Sequence, residues 1–139
     1  MTIDVERRLL QLIVSVLVLI PLYVGLKSLV GGPEWLGHPA QVPVDLDSHF
    51  RYLSGIFLAL GIAFATCVPH IEWRTGRFRT LGFIVILGGV GRLISYFAVG
   101  APSQGHLIGL GIELVIVPLL MLWQMSLASR WRGLRMPMI

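Results

Sequence analysis

The chain has 139 residues, of which 55% are hydrophobic and 13% charged, and its mean hydropathy is +0.82. A soluble domain averages about 25% charged residues, so this chain lacks the polar side chains that cover a water-exposed surface. The same hydrophobicity excludes intrinsic disorder, and a single Cys excludes an internal disulfide and a cysteine-rich zinc site. The composition therefore predicts a small integral membrane protein with one domain, residues 1–139.

Four apolar runs follow one another along the chain, and each approaches the roughly 20 residues that a helix needs to cross a bilayer. They are apolar around the whole helix circumference, unlike amphipathic surface helices. The first run is longer than the core of a signal peptide and lacks a convincing cleavage site after it, so we expect a retained span. The predicted fold class is all-α, an integral membrane four-helix bundle. The predicted spans cover about residues 9–29, 50–68, 78–99 and 106–123.

Basic residues outside the spans predict the orientation. Eight would lie on one side of the membrane and two on the other, and the positive-inside rule places the richer side in the cytoplasm. We therefore expect a multi-pass protein of the bacterial inner membrane with both termini cytoplasmic. The net charge of +4 arises from residues that flank spans, so no nucleic-acid partner is expected. The eight are Arg7, Arg8, Arg74, Arg77, Arg79, Arg130, Arg132 and Arg135, and the two are Lys27 and Arg51.

Small residues recur within the last three spans, where they allow helix backbones to approach closely in lipid. Their spacing predicts tight contacts among the second, third and fourth spans. Pro21 and Pro118 each remove a backbone donor, and we expect them to kink their spans. The small residues are Gly55, Ala59 and Ala63 in the second span, Gly88, Gly89 and Gly91 in the third, and Gly105 and Gly109 in the fourth.

Two ionisable residues, Arg92 and Glu113, lie well inside spans. Each costs roughly 2.5–3.5 kcal/mol near the centre of a bilayer, so both need partners. Arg92 precedes the end of the third span by about seven residues, and Glu113 follows the start of the fourth by about seven, or ~10 Å in each case. Because a short connection makes these spans antiparallel neighbours, the two side chains are expected at the same depth. The sequence predicts an ion pair between the two helices.

Further polar residues surround the predicted pair. Ser95 and Tyr96 follow Arg92 by three and four residues on one helix face, and His106 lies two turns from Glu113. His49 and Arg51 stand where the chain enters the second span. We predict that these side chains converge in an outward-facing polar pocket, with no metal and no cofactor. The candidate binding residues are Arg51, Arg92, Tyr96, His106, Glu113, His49 and Ser95.

Several functions fit such a pocket. The leading interpretation is a binding or accessory protein whose ligand is an amphiphile, either a lipid or a quinone-like molecule. A membrane enzyme acting on a lipid-like substrate through Glu113 or His106 is an alternative, as is a proton-coupled exporter that titrates Glu113. The pair could also be interhelical glue in a purely structural subunit. The expected partners are membrane lipids, a membrane protein or a second copy of the chain.

Three segments of the sequence resemble an uncharacterised bacterial family, a domain of unknown function found in small four-span membrane proteins similar to the DoxX-like group. The segments are 47–55, with the sequence Asp-Ser-His-Phe-Arg-Tyr-Leu-Ser-Gly, the Gly-rich run 88–95, and Glu113-Leu114 followed by Pro118. The resemblance implies a four-span fold and assigns no reaction. Some DoxX-like proteins are associated with quinone-linked or thiol-redox systems, but the single Cys67 does not supply a dithiol.

Overall fold

The computed structural model describes residues 2–37 and 41–135, and these residues contain helices and no β-strand. A π-helical turn at Ile112–Ile116 joins the fourth and fifth helices without a break, and 3-10 turns follow the first two helices. The all-α prediction is confirmed. The helices are α1, Ile3–Gly31; α2, Val44–Ala65; α3, Thr75–Val99; α4, Gln104–Gly111; and α5, Val117–Arg135.

Within the described residues, four helical segments are long and apolar enough to cross a membrane, and each contains one predicted span. Three of them extend beyond the prediction at both ends, because hydropathy does not register helical turns that carry charged residues. Large apolar side chains such as Phe97, which is 77% exposed, cover their surfaces. In a bilayer these side chains face lipid. The segments are Ile3–Gly31, Val44–His70, Thr75–Val99 and Gln104–Leu134.

The contacts of the chain group it into two compact units, one from Gln11–Pro69 and one from Met1–Leu10 together with His70–Ile139. In the unit Gln11–Pro69, α1 packs on α2 backbone to backbone. A Cβ added at Gly25 would lie 2.8 Å from the backbone nitrogen of Leu58. A Cβ added at Gly61 would lie 3.0 Å from Cγ of Pro21. Gly25 therefore lets the two backbones meet at a distance that no larger residue permits, and Gly61 leaves room for the ring of Pro21.

This packing differs from the sequence prediction, which paired the small residues of the second span with the third and fourth spans. Gly55 faces α1, since a Cβ added there would lie 3.7 Å from Cδ1 of Leu29. The stripe identifies a face that another helix can approach. It does not identify which helix approaches. The glycine that allows the close approach from the other side is Gly25, in the first span.

In the second unit, α3 packs against the π-helical turn and α5. A Cβ added at Gly89 would lie 2.8 Å from Cδ2 of Leu114, and Gly82 lies against the side chain of Met121. The predicted contact between the third and fourth spans is confirmed at Gly89. For the remaining predicted glycines of these spans, no described atom lies within 4 Å of an added Cβ, and their part in packing stays a prediction. They are Gly88, Gly91, Gly105 and Gly109.

Candidate functional site

The predicted ion pair is present in the second unit. Nε of Arg92 donates a hydrogen bond to Oε1 of Glu113 at 3.1 Å, and a distance of 3.1 Å also separates it from Oε2. The Glu113 side chain is 11% exposed, whereas 39% of the Arg92 side chain remains exposed. Equal depth in antiparallel helices was sufficient to predict this contact. The pair is asymmetric, with a buried carboxylate and a guanidinium that reaches the surface.

The backbone around Glu113 positions its carboxylate. Pro118 has no N–H to donate, so it cannot form the ordinary α-helical hydrogen bond to the carbonyl of Leu114. The chain widens into the π-helical turn, and the N–H of Val117 donates to the carbonyl of Ile112. Such turns often occur at functional sites. Opposite the turn, Gly89 has no side chain to keep Cβ of Glu113 away, since a Cβ added at Gly89 would lie 2.9 Å from it.

The carboxylate is incompletely satisfied. Oε2 of Glu113 is buried and accepts no well-aligned hydrogen bond from the described residues, although Nε of Arg92 lies 3.1 Å from it. A buried acceptor without a donor costs roughly 1–3 kcal/mol. The local structure therefore retains a destabilising feature beside its ion pair, as functional sites often do.

A small open cleft of about 120 Å³ lies beside the pair. His106 belongs to the first turn of α4, where its Nδ1 is 3.0 Å from Oγ of Ser103 in a hydrogen bond. Ligand pockets usually measure about 300–1,000 Å³. The cleft is therefore smaller than a typical ligand pocket, and it has room for a small polar group. Its lining residues are Arg92, Ser95, Pro102, His106 and Leu110.

Tyr96 is placed differently from the other candidates of the second unit. Its ring packs edge-on against Phe97, with 5.4 Å between the ring centroids and 86° between the planes. Tyr96 is exposed and does not line the cleft. A spacing of four residues put it on the face of Arg92, but its ring packs against the next residue in the chain.

Arg51 has a structural role in the unit Gln11–Pro69. Its guanidinium forms two hydrogen bonds to Asp47, and Nη1 donates to the backbone carbonyls of Leu29 at 3.0 Å and Val30 at 2.6 Å. The last carbonyls of a helix have no partner within it, so Arg51 caps the end of α1. Gly32 has a φ of +68°, and a Cβ there would lie 2.6 Å from Nη2 of Arg51.

His49 belongs to the same unit as Arg51. Its ring lies 6.4 Å from the ring of Tyr52, measured between centroids, with the two planes tilted by 33°. Tyr52 is thus the aromatic neighbour of His49, about one turn further along α2. Its place in a ligand site stays a prediction.

A larger polar cluster was missed by the sequence analysis. Glu6, buried near the start of α1, accepts a hydrogen bond from Nε1 of Trp123 at 2.7 Å and is paired with Arg130. Arg7 donates to the buried Glu72 at 3.0 Å. These four charged residues lie beside the ends of predicted spans. The positive-inside rule was enough to explain the arginines there, so no partners were assigned to them. The presence of acidic residues in the same basic segments was the signal that could have revealed these pairs.

One aromatic side chain, Trp131, and one amide side chain, Gln124, complete this cluster. The guanidinium of Arg7 lies 5.2 Å from the centre of the Trp131 ring, and Trp131 is 7% exposed. The fully buried Gln124 donates to the carbonyl of Ile71 at 2.6 Å and to Oγ1 of Thr75 at 3.0 Å. The ring of Trp131 is therefore packed inside the protein, and the cluster connects three chain segments.

The chain can be compared with known proteins on this basis. The family model described as Domain of unknown function (DUF4345) matches residues 9–124. The chain belongs to this family. The DUF4345 match contains both members of the ion pair and every residue that lines the cleft. No curated protein and no solved structure matches the chain. The resemblance to an uncharacterised family is confirmed, and the similarity to the DoxX-like group stays a prediction.

Proposed function

We propose that this DUF4345 protein is a membrane binding or accessory protein whose cleft takes the polar head of an amphiphile, a lipid or a quinone-like molecule. The observation that carries the proposal is the half-exposed Arg92 at the wall of the cleft, held at its inner side by Glu113. A charge at this depth is expensive, so its exposure to a cleft favours a polar ligand there. Ser95 and His106 add further polar groups to the same wall.

The apolar surface beside the cleft supports the same function. Phe97 and Ile108 are large, exposed side chains on the two helices that border the cleft. The cleft admits a small group, so the hydrocarbon tail of the ligand would stay in the bilayer against this surface. A ligand of this kind enters from the membrane and needs no enclosed tunnel.

Blocking the cleft tests this function. We expect Leu110→Trp to fill it, because Leu110 lines the cleft, and to abolish the retention of an amphiphile. Leu122→Trp is the matched control, since Leu122 is 63% exposed on the outer surface of α5. Native mass spectrometry after mild-detergent extraction would compare the bound molecules. Equal retention by the two variants would contradict the proposal, and a wild-type protein that carries no amphiphile would favour a purely structural subunit.

The location of the cleft is part of the proposal. The eight-to-two asymmetry of basic residues supports cytoplasmic termini in a bacterial inner membrane, with the cleft in the outer half of the bilayer. Gly37, Gly76 and Gly133 are suited to cysteine substitution, because no described atom lies within 4 Å of a Cβ added to them. The native Cys67 is fully buried.

Thiol labelling of these variants in intact cells tests the orientation. We expect an impermeant reagent to label Gly37→Cys and to leave Gly76→Cys and Gly133→Cys unlabelled until the membrane is permeabilised. Labelling of Gly76→Cys and protection of Gly37→Cys in intact cells would reverse the orientation and place the cleft in the cytoplasmic half.

A further inference from the structure

We infer that the headgroup taken by the cleft is a compact oxyanion, a carboxylate or a phosphate monoester, gripped by the two terminal nitrogens of Arg92. The inference rests on the proposed function and narrows its ligand. A neutral headgroup on the same hydrocarbon tail should therefore bind more weakly than the oxyanion. Three features of the cleft carry it: the free donors of Arg92, the kind of polar group in its wall, and its size.

The first feature is the way in which Arg92 is used. A guanidinium has five N–H donors, and the bond to Glu113 engages Nε. Within the described part of the chain, neither Nη1 nor Nη2 of Arg92 donates a hydrogen bond to another residue. These two nitrogens form the fork that matches the two oxygens of a carboxylate or phosphate. Glu113 thus fixes the guanidinium from one side and leaves this fork for a ligand.

The second feature is the wall around Arg92. Ser95 can donate through its hydroxyl group. His106 has Nδ1 engaged with Ser103, which leaves Nε2 for a ligand. Pro102 and His106 bracket the start of α4, and the positive end of a helix dipole favours an anion. The carboxylate of Glu113 is buried and already faces the guanidinium. Arg92 and Ser95 therefore both offer hydrogen-bond donors to a ligand.

The third feature is the size of the cleft. Its volume of about 120 Å³ is well below the roughly 300–1,000 Å³ of a typical ligand pocket. A carboxylate or a single phosphate group fits this space. A substituted quinone ring or a phosphocholine group is larger, and phosphocholine would also bring a cation towards Arg92. Size and charge therefore select the same class of headgroup.

Matched probes in phosphatidylcholine nanodiscs test this selection. Oleate and oleyl phosphate carry the two oxyanions, oleyl alcohol has the same tail with a neutral head, and a decyl-benzoquinone represents a quinone. We expect wild-type protein to bind one or both oxyanions at least about tenfold more tightly than the alcohol, the difference made by hydrogen bonds to a charged group. The ratio of oleate to oleyl phosphate then identifies which oxyanion is preferred.

Arg92→Lys separates charge from geometry. Lysine keeps a positive charge beside Glu113 but lacks the fork, so we expect the affinity for the oxyanions to fall about tenfold and that for oleyl alcohol to stay unchanged. Arg79→Lys is the control, because Arg79 is an exposed arginine in the first turns of the same helix. Should Arg92→Lys fail to fold, Ser95→Ala leaves the ion pair intact and must weaken oxyanion binding selectively.

The possible outcomes separate the inference from the proposed function. Oleyl alcohol or the quinone binding as tightly as oleate, with Leu110→Trp still abolishing binding, would overturn the oxyanion and leave the amphiphile site standing. Full oxyanion affinity in Arg92→Lys would also overturn the inference. Failure of every probe to bind wild-type protein, with no effect of Leu110→Trp, would remove the proposed function itself.

Discussion

Replacing Glu113 with Gln is expected to lower the free energy of unfolding by about 3–5 kcal/mol, as breaking a buried ion pair commonly does. The change removes the counter-ion of Arg92 and leaves its charge inside a span. Gly89 and the π-helical turn fix the position of Glu113. Another side chain therefore has little room to take over its bond to Arg92. Thermal unfolding in a mild detergent would measure the effect as a lowered midpoint.

The double variant Arg92→Met with Glu113→Leu provides the control for this prediction. It removes both charges and keeps apolar side chains of similar size, so no charge is stranded. Exchange of a buried ion pair for apolar residues is often neutral or stabilising. We therefore expect the double variant to be far more stable than Glu113→Gln alone. Equal midpoints for the two variants and the wild type would show that the pair contributes nothing to stability in the membrane protein.

Gly25→Ala is expected to destabilise the protein by about 1–3 kcal/mol, the usual effect of overpacking. The added methyl group would lie 2.8 Å from the backbone nitrogen of Leu58 and 2.9 Å from its Cα. A side chain could rotate away from such a contact, but a helix backbone cannot. The helices α1 and α2 would have to separate, and the loss of their contact would appear as a lowered midpoint in the same thermal assay.

Gly88→Ala is the matched control for Gly25→Ala. It makes the same substitution in the interior of a helix, and no described atom lies within 4 Å of the added Cβ. Alanine favours a helix over glycine by about 1 kcal/mol, so this variant should be as stable as the wild type or slightly more so. A loss of stability in Gly88→Ala equal to that in Gly25→Ala would mean that close approach at Gly25 is not the cause.

Much of the fold could be predicted because hydropathy and charge act on whole segments. The four spans could be predicted from runs of apolar residues. The free-energy cost of exposing such a run to water is the same whichever helices it packs against. The contact between Arg92 and Glu113 followed from depth alone, since a short connection sets two antiparallel helices in register. The position of each residue along the membrane normal is enough to predict such a contact, without knowledge of helix rotation.

The remaining contacts depend on helix rotation and on partners distant in sequence, which spacing does not determine. Gly55 was correctly assigned to a face that packs against a helix, but its spacing did not indicate that α1 packs there. Tyr96 shares a face with Arg92 by spacing, yet its ring packs against Phe97 and does not line the cleft. Arg51 was predicted as part of the ligand site, and its structural cap depends on the carbonyls of a preceding helix, which have no sequence signature.

The tie between Glu6 and the last helix has a consequence for how the protein is made. Trp123 and Arg130 are separated from Glu6 by 117 and 124 positions in the chain. A ribosome delivers Glu6 first and these two partners near the end of translation. During that interval the carboxylate must remain in water or borrow a temporary donor from the insertion machinery or the lipid. Closure of the second unit is therefore coupled to completion of α5, and a nascent chain that stalls before Trp123 leaves Glu6 without either of these two partners.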